Sequence, residues 1–525
     1  MQSGTCIWSN GKTSTATGYL WVPENCQRLR GLIIMGSNVP EHMLAGHPAI
    51  RKACAAHDTG ILFAAPSFLN DRSENWEATT VAFLQQLLDG LAQTSGYPEV
   101  ATVPWLPMGE SGHLRMVDAL VGIAPERCIA GVWIKNSHWS DKHREVPMLT
   151  IYGTAQEWSQ DKTDIRKNWN TIAKTYGGVR DQRKRNPEWP FSYIIDGGSG
   201  HFDCSERLVQ YIAHYIDCVA QARLSEDGSP ALKPIEMEKG YLADLPVPGH
   251  ENQPVTEFAK TAPEARDLPW YFDRASAEEA QAIARINWNA ETQLPGFADA
   301  QGNIFTYVMN GATWLPINNP YGSSWKPEGA NSLPSPVLVP EADGITFTLK
   351  GVLLDKIPVN FVGAGEPLAK APGTPTVEWL CGSVEPVGGD KFRVAPDRTW
   401  PAATYLAVRH PGTDKIRAVV QPAQLSREGH TEGIPQKITF EKIPDVKAGT
   451  PSIRLFARTD ARMPVRFYVI AGPAIVEGDK LVLTKIPPRT KLPMTVTVGA
   501  CQWGRGVEPK VKTAEIVKQS FQILP

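Results

Sequence analysis

Over the first 225 residues, short and nearly continuous apolar runs (residues 19–22, 31–35, 60–65, 128–135, 146–153 and 191–196) alternate with stretches in which apolar residues recur at helical spacing (43–57, 76–91, 164–176 and 205–224). Continuous apolar runs of strand length mark strands buried on both faces, as parallel sheets require. Their alternation with helices predicts a mostly parallel sheet covered by helices on both faces. One further run, from Thr102 to Met108, passes through Gly109-Glu110-Ser111-Gly112 directly into a helical pattern at 114–123.

The pattern changes after Leu224. Residues 226–337 are rich in proline and glycine and carry one short helical stretch at 275–284, which predicts a linker region. From residue 338 short strands recur every few residues to the end, at 344–349, 376–379, 391–394, 405–409, 415–420, 437–440, 467–484, 494–503 and 516–523. Such spacing without helical periodicity predicts all-β sandwiches, divided at about residue 427. The expected organisation is a catalytic α/β domain at 1–225, a linker region at 226–337, and β-sandwiches at 338–427 and 428–525.

The chemistry is concentrated in the first part. A serine set between small residues on a sharp strand-to-helix turn has its hydroxyl thrust outward, as a nucleophile needs. Past Ser111, the run ending at Gly153 leads to Glu157, and the run ending at Asp196 leads through Gly-Gly-Ser-Gly to His201. This Ser, Glu, His order, following successive strands, resembles the α/β-hydrolase superfamily, in particular serine esterases of the dienelactone-hydrolase and acetyl-esterase kind, over roughly residues 1–225. The resemblance implies Ser111 as nucleophile, His201 as general base and acid, and Glu157 as the carboxylate orienting His201, with Asp141 and Asp196 as competitors for that last role. It also implies oxyanion donors at the Gly112 amide and, after the run ending at Met35, at the Asn38 backbone. The chain departs from Gly-x-Ser-x-Gly in having His113 where the second glycine stands, so the helix must pack differently there. His113 is either a tolerated first-turn residue or a substrate contact.

Residues 467–484 and 494–503 resemble bacterial Ig-like modules, which implies an exported protein. No signal peptide is recognisable at Met1, which fits a cytoplasmic protein or one whose leader was replaced by this methionine; the Ig-like resemblance tilts the expectation to a periplasmic or secreted location, with a cytoplasmic one open. With 53 basic and 55 acidic residues the net charge is −2, and no strong field favours nucleic acid or an anionic membrane. No apolar run reaches the ~18 residues of a membrane span. Eight cysteines without a Cys-x-x-Cys pair argue against a zinc cluster; Cys6 and Cys26 flank an expected hairpin, where a disulfide is one reading and small buried hydrophobes, favoured for the cysteines overall, the other. No metal or other cofactor is expected.

Tryptophan matches phenylalanine at 16 residues each, and Trp139, Trp158 and Trp189 are placed near the expected site. Indoles stack on sugar faces, so Trp139 and Trp158 are candidate substrate contacts for a polysaccharide. The basic stretch 180–186 is either a solvated loop or a contact for an anionic sugar. Only residues 136–145 separate two strands where a lipase lid would be inserted, which predicts an open site. The expected activity is hydrolysis of carboxylic esters through an acyl-enzyme, with acyl or methyl esters on polysaccharide as the expected substrate. A peptidase or amidase with the same triad, and a non-catalytic glycan-binding surface protein, are the alternatives.

Overall fold

Eight strands of the N-terminal region form one sheet in the order β1-β2-β4-β3-β5-β6-β7-β8 in a computed structural model of the protein. The structure describes the chain except for residues 67–73, 136–143, 154–168, 247–253, 286–289, 306–314, 318–339, 359–360, 396–403 and 426–428. The strands are β1 (Gln2–Ile7), β2 (Thr13–Trp21), β3 (Gly31–Met35), β4 (Thr59–Ala65), β5 (Trp105–Glu110), β6 (Gly131–Ile134), β7 (Met148–Gly153) and β8 (Phe191–Asp196). β1 and β2 are antiparallel to their neighbours, and β4 through β8 run parallel in register. Every residue of β3 and of β5 through β8 is buried, which is why each reads as an unbroken apolar run. This strand order and direction, with its interleaved helices, is the α/β-hydrolase fold.

Among the described residues six helices accompany the sheet: α1 (Val39–Gly46), α2 (Pro48–Ala56), α3 (Trp76–Ser95), α4 (Leu114–Ile123), α5 (Trp169–Arg185) and α6 (Glu206–Arg223). α2 packs on α6, and α3 on α4. The single helix expected at 43–57 is two. His47 precedes a proline and takes an extended backbone (φ −70°, ψ 131°), so it ends α1 and caps α2, its ring accepting from the Ala49 amide.

The basic stretch at 180–186 is not a loop facing substrate. Residues 180–185 form the last two turns of α5, and Arg183, Lys184 and Arg185 fall in its last turn, where cations suit the helix dipole. Arg183 is fully buried and donates to the carbonyls of Leu268, Arg266 and Trp189, and burial pulls its guanidinium down to about 10. Arg180 pairs with Asp267 at 2.6 Å. Both arginines thus serve to hold the segment 266–268.

That segment belongs to the Pro-rich stretch beyond residue 225. Here β9 (Tyr241–Leu242), β10 (Thr256–Glu257) and β11 (Trp270–Tyr271) form a small antiparallel sheet, and α7 (Arg274–Ala284) follows. Tyr271, Ala277, Ala280 and Ala284 are buried in the same core as the large sheet, and the first compact unit runs on to Ala290. The described residues of 226–290 therefore pack with the large sheet, Tyr271 and the alanines of α7 supplying the apolar face.

The second unit, essentially residues 291–525, contains strands and no helix among its described residues. One core gathers Phe347 and Phe392 from a five-stranded sheet, Leu406 and Val408 from a four-stranded one, and Trp503, which follows the strand Met494–Cys501. A second gathers Phe440, Leu481, Val496, Val498 and Phe521 around strands Arg466–Ala471, Met494–Cys501 and Val517–Leu524. None of the eight cysteines is joined in a disulfide, Cys6 and Cys26 included. Among the described residues no helix is long and apolar enough to cross a membrane.

Candidate active site

In the sheet, β3 lies between β4 and β5, so the connections leave it in opposite directions and open a crevice beyond the carboxyl ends of β3 and β5. Ser111 and Asn38 follow these two strands. Ser111 begins a short turn (Ser111–His113) between β5 and α4 and has φ +50°, a conformation that side chains other than glycine adopt only when their surroundings hold them. Close packing on the strand side accompanies this turn. A Cβ on Gly109 would lie 2.5 Å from the His113 carbonyl oxygen, so only glycine lets α4 come this near the strand.

His113 stands where a second glycine was expected, and the structure shows how it is accommodated. Its ring lies against Gly36, where a Cβ would come within 2.8 Å of Nδ1 and Cε1, and its Nδ1 is 2.9 Å from Glu41 Oε1. The glycine has in effect moved from the helix to the facing strand end. His113 is thereby turned to Glu41, with its side chain 12% exposed.

His201 is fully buried in the segment between β8 and α6. Its Nε2 is 2.9 Å from Ser111 Oγ and 3.1 Å from Glu110 Oε1. The sheet thus brings together two residues ninety positions apart at hydrogen-bond distance. Glu110 is itself fully buried; its amide donates to Glu41 Oε1 at 2.9 Å, and Asn38 Nδ2 donates to its carboxylate. Two buried carboxylates, Glu41 and Glu110, therefore face two imidazoles, His113 and His201, directly behind the serine. Sequence reading missed both acids. Glu110 carried a signal, a charged residue at the end of an otherwise apolar strand; Glu41, on the first turn of a helix, carried none.

Asn38 was expected to offer its backbone. Its side chain caps α1 through Oδ1, which accepts from Val39 N at 3.0 Å, while Nδ2 ties the cap to Glu110. The amide of Gly112 stands at an exposed position with open space where a Cβ would be.

The segment bearing His201 is fastened from below. Lys135, fully buried at the end of β6, donates to Ser199 Oγ and lies 3.6 Å from Asp196 Oδ2. Asp196 also accepts from the Ser205 amide at 3.1 Å, and Asp203 accepts from Gly200 N at 2.6 Å. Asp196, a competitor for the triad acid, is therefore engaged by Lys135 and the N-cap of α6. The Cys204 thiol in the same segment is pushed well above its ordinary range by burial. Gly153, at the end of β7, approaches this segment so closely that a Cβ would lie 2.5 Å from Ser199 O and 2.8 Å from Gly200 O. Gly153→Ala is expected to displace His201 and lower turnover ~100-fold, since misplacing a catalytic group by ~1 Å costs about that much. Steady-state kinetics of the variant, with its melting temperature, checks this; unchanged turnover would show that the segment adapts.

Glu157, Trp139, Trp158 and Asp141 lie outside the described residues, as does most of the 136–145 connection. Trp189 is not a site residue. It lies at the start of β8, the opposite end of the strand from His201, buried and stacked on Phe191 at 4.4 Å with its indole N–H on Val146 O.

No protein-family model matches the sequence, and no curated protein matches it. Solved structures similar to the chain include the esterase domain of a Rhodothermus marinus protein (12% identity, TM-score 0.26, 42% of this chain and 97% of that one). Others are an S-formylglutathione hydrolase from Agrobacterium tumefaciens (10%, 0.29, 42% and 94%) and the siderophore hydrolase EstA from Aspergillus nidulans (7%, 0.30, 42% and 94%). A thermostable esterase is matched over 54% of its own length (12%, 0.24, 37% of this chain).

Proposed function

We propose that the N-terminal unit is a serine hydrolase that cleaves carboxylic esters through an acyl-enzyme. The observation that carries this reading is the 2.9 Å approach of His201 Nε2 to Ser111 Oγ, with Ser111 held at φ +50° on the turn between β5 and α4. In this reading Ser111 Oγ attacks the ester carbonyl carbon while its proton passes to His201 Nε2. The developing oxyanion takes hydrogen bonds from the amides of Gly112 and Asn38. Collapse breaks the bond to the alkoxy group, which leaves as the alcohol with the proton from His201. Water, deprotonated by the same imidazole, then attacks the acyl-enzyme and releases the acid and Ser111. Glu110, beside Nε2, stabilises the imidazolium. Glu157 is the carboxylate we assign to orient the ring; β7, the strand preceding it, pairs Gly153 with Asp196 of β8 and so ends level with the strand that leads to His201.

The substrate we favour is an acyl or methyl ester on a polysaccharide, with Trp139, Trp158 and an open site as its sugar-facing features, in a periplasmic or secreted protein whose C-terminal strands include an Ig-like module. Tryptophan abundance and the Thr-Val-Thr-Val strand in Met494–Cys501 support these finer statements. A fluorophosphonate probe is expected to label the full chain at one serine, mapped by peptide mass spectrometry to Ser111. Labelling elsewhere, or none, removes Ser111 as the nucleophile. Release of acetate or methanol from acetylated or methyl-esterified glycans then tests the substrate class.

A further inference from the structure

A second group of reactive side chains lies on α6 and the start of α7, where the proposed hydrolase chemistry has no use for it. His214 and Cys218 are four residues apart on α6 and so share a face. Asp273 is the N-cap of α7. His214 Nε2 lies 2.9 Å from Asp273 Oδ2 and 3.5 Å from Cys218 Sγ, and Cys218 Sγ lies 3.4 Å from Asp273 Oδ2. We propose that His214, Cys218 and Asp273 form a zinc site that ties α7 to α6.

The geometry fits the ion. A tetrahedral zinc holds thiolate sulfur at ~2.3 Å and nitrogen or oxygen at ~2.1 Å, which spaces such donors ~3.4–3.6 Å apart. Two of the three separations already match, and the His214–Asp273 separation needs to open by only ~0.5 Å to reach the tetrahedral value. All three atoms converge on one another: a single ring nitrogen faces both the sulfur and the carboxylate oxygen, although it can direct one proton to one acceptor at a time. The donor set selects the ion as well. A thiolate with an imidazole favours zinc over magnesium or calcium, which take oxygen ligands. A thiolate and a carboxylate neutralise the dication, and the partial exposure of His214 and Asp273 leaves the fourth position to water.

Asp273 can serve both purposes because its two oxygens are divided. Oδ1 accepts from Ser276 N at 2.6 Å and caps α7, while Oδ2 faces His214 and Cys218. Cys218 is also the one cysteine of the eight that is not buried, so it is the thiol that can meet an ion from solution.

The test uses the full chain, kept reduced, stripped with a chelator and titrated with Co²⁺ and then Zn²⁺. One equivalent of Co²⁺ is expected to produce the thiolate-to-metal charge-transfer band and the strong visible bands of a tetrahedral ion, both displaced by zinc. Cys218→Ser should abolish the charge-transfer band, and His214→Gln should weaken zinc binding at least ~100-fold. Neither change touches the Asp273 cap, so both variants should fold and melt as the metal-free wild type does, but lose the rise in melting temperature that zinc confers. Absence of a thiolate band in the wild type, or a band that survives in Cys218→Ser, overturns the proposal. So does zinc binding that is equally tight in both variants, since the ion then sits elsewhere.

Discussion

Replacing Ser111 by alanine is expected to lower kcat/KM on an activated ester such as nitrophenyl acetate by ~10⁴- to 10⁶-fold, with the melting temperature unchanged. The size of the effect follows from what is removed. In the proposed mechanism the loss of Oγ removes the acyl-enzyme and leaves substrate binding and the oxyanion donors, which give far less acceleration. Fold stability should not change because Ser111 is half-buried and alanine meets the same backbone requirement at φ +50°. His201→Gln should cost a similar factor, since an amide cannot take the proton at the 2.9 Å contact. Glutamine is preferable to alanine there because His201 is fully buried against Glu110, and truncation would leave a cavity beside a carboxylate. The two losses should not add: if serine and histidine act as a unit, the double variant is about as slow as either single one. Independent losses that multiply would mean that the 2.9 Å contact is not used in turnover.

Lys135→Met is expected to destabilise the N-terminal unit by ~3–5 kcal/mol, the cost typical of removing one partner of a buried ion pair. Methionine fills nearly the same space, so the effect is one of charge. The Asp196 carboxylate stays fully buried without the ammonium 3.6 Å away, and Ser199 Oγ loses its donor. Urea unfolding of the full chain, followed by a probe in the N-terminal unit, reads the loss. Removing both charges in Lys135→Met/Asp196→Asn should recover a large part of it, because a neutral pair no longer carries a buried charge. Ester hydrolysis by the single variant should fall as well, since Ser199 lies two residues before His201. A variant as stable and as active as wild type would show that Lys135 neither stabilises the unit nor positions His201.

Much of the sheet was legible because burial on both faces leaves no room for polar alternation: β3, β7 and β8 appear as apolar runs whose ends fall within two residues of the strands. The turn at Ser111 was legible for a similar reason, since its glycine is demanded by contacts within a few residues. Helix ends were less so. Pro48 divided a pattern that reads as one helix, and α5 ran on through a basic stretch that reads as a loop.

By itself, then, the sequence determined the order of strands and helices, the serine turn and the histidine after the last strand, because each depends on short-range packing and dihedral constraints. Only the tertiary structure decided that Ser111 and His201 touch, that Glu110 and Glu41 stand behind them, that Lys135 fastens the His201 segment, and that His214, Cys218 and Asp273 meet. Those pairs are joined across tens of residues by the order of strands in the sheet and the packing of α6 against α7. Local periodicity carries no record of such distances, since buried charges and their partners are chosen by what lies across the core and not by their neighbours in the chain.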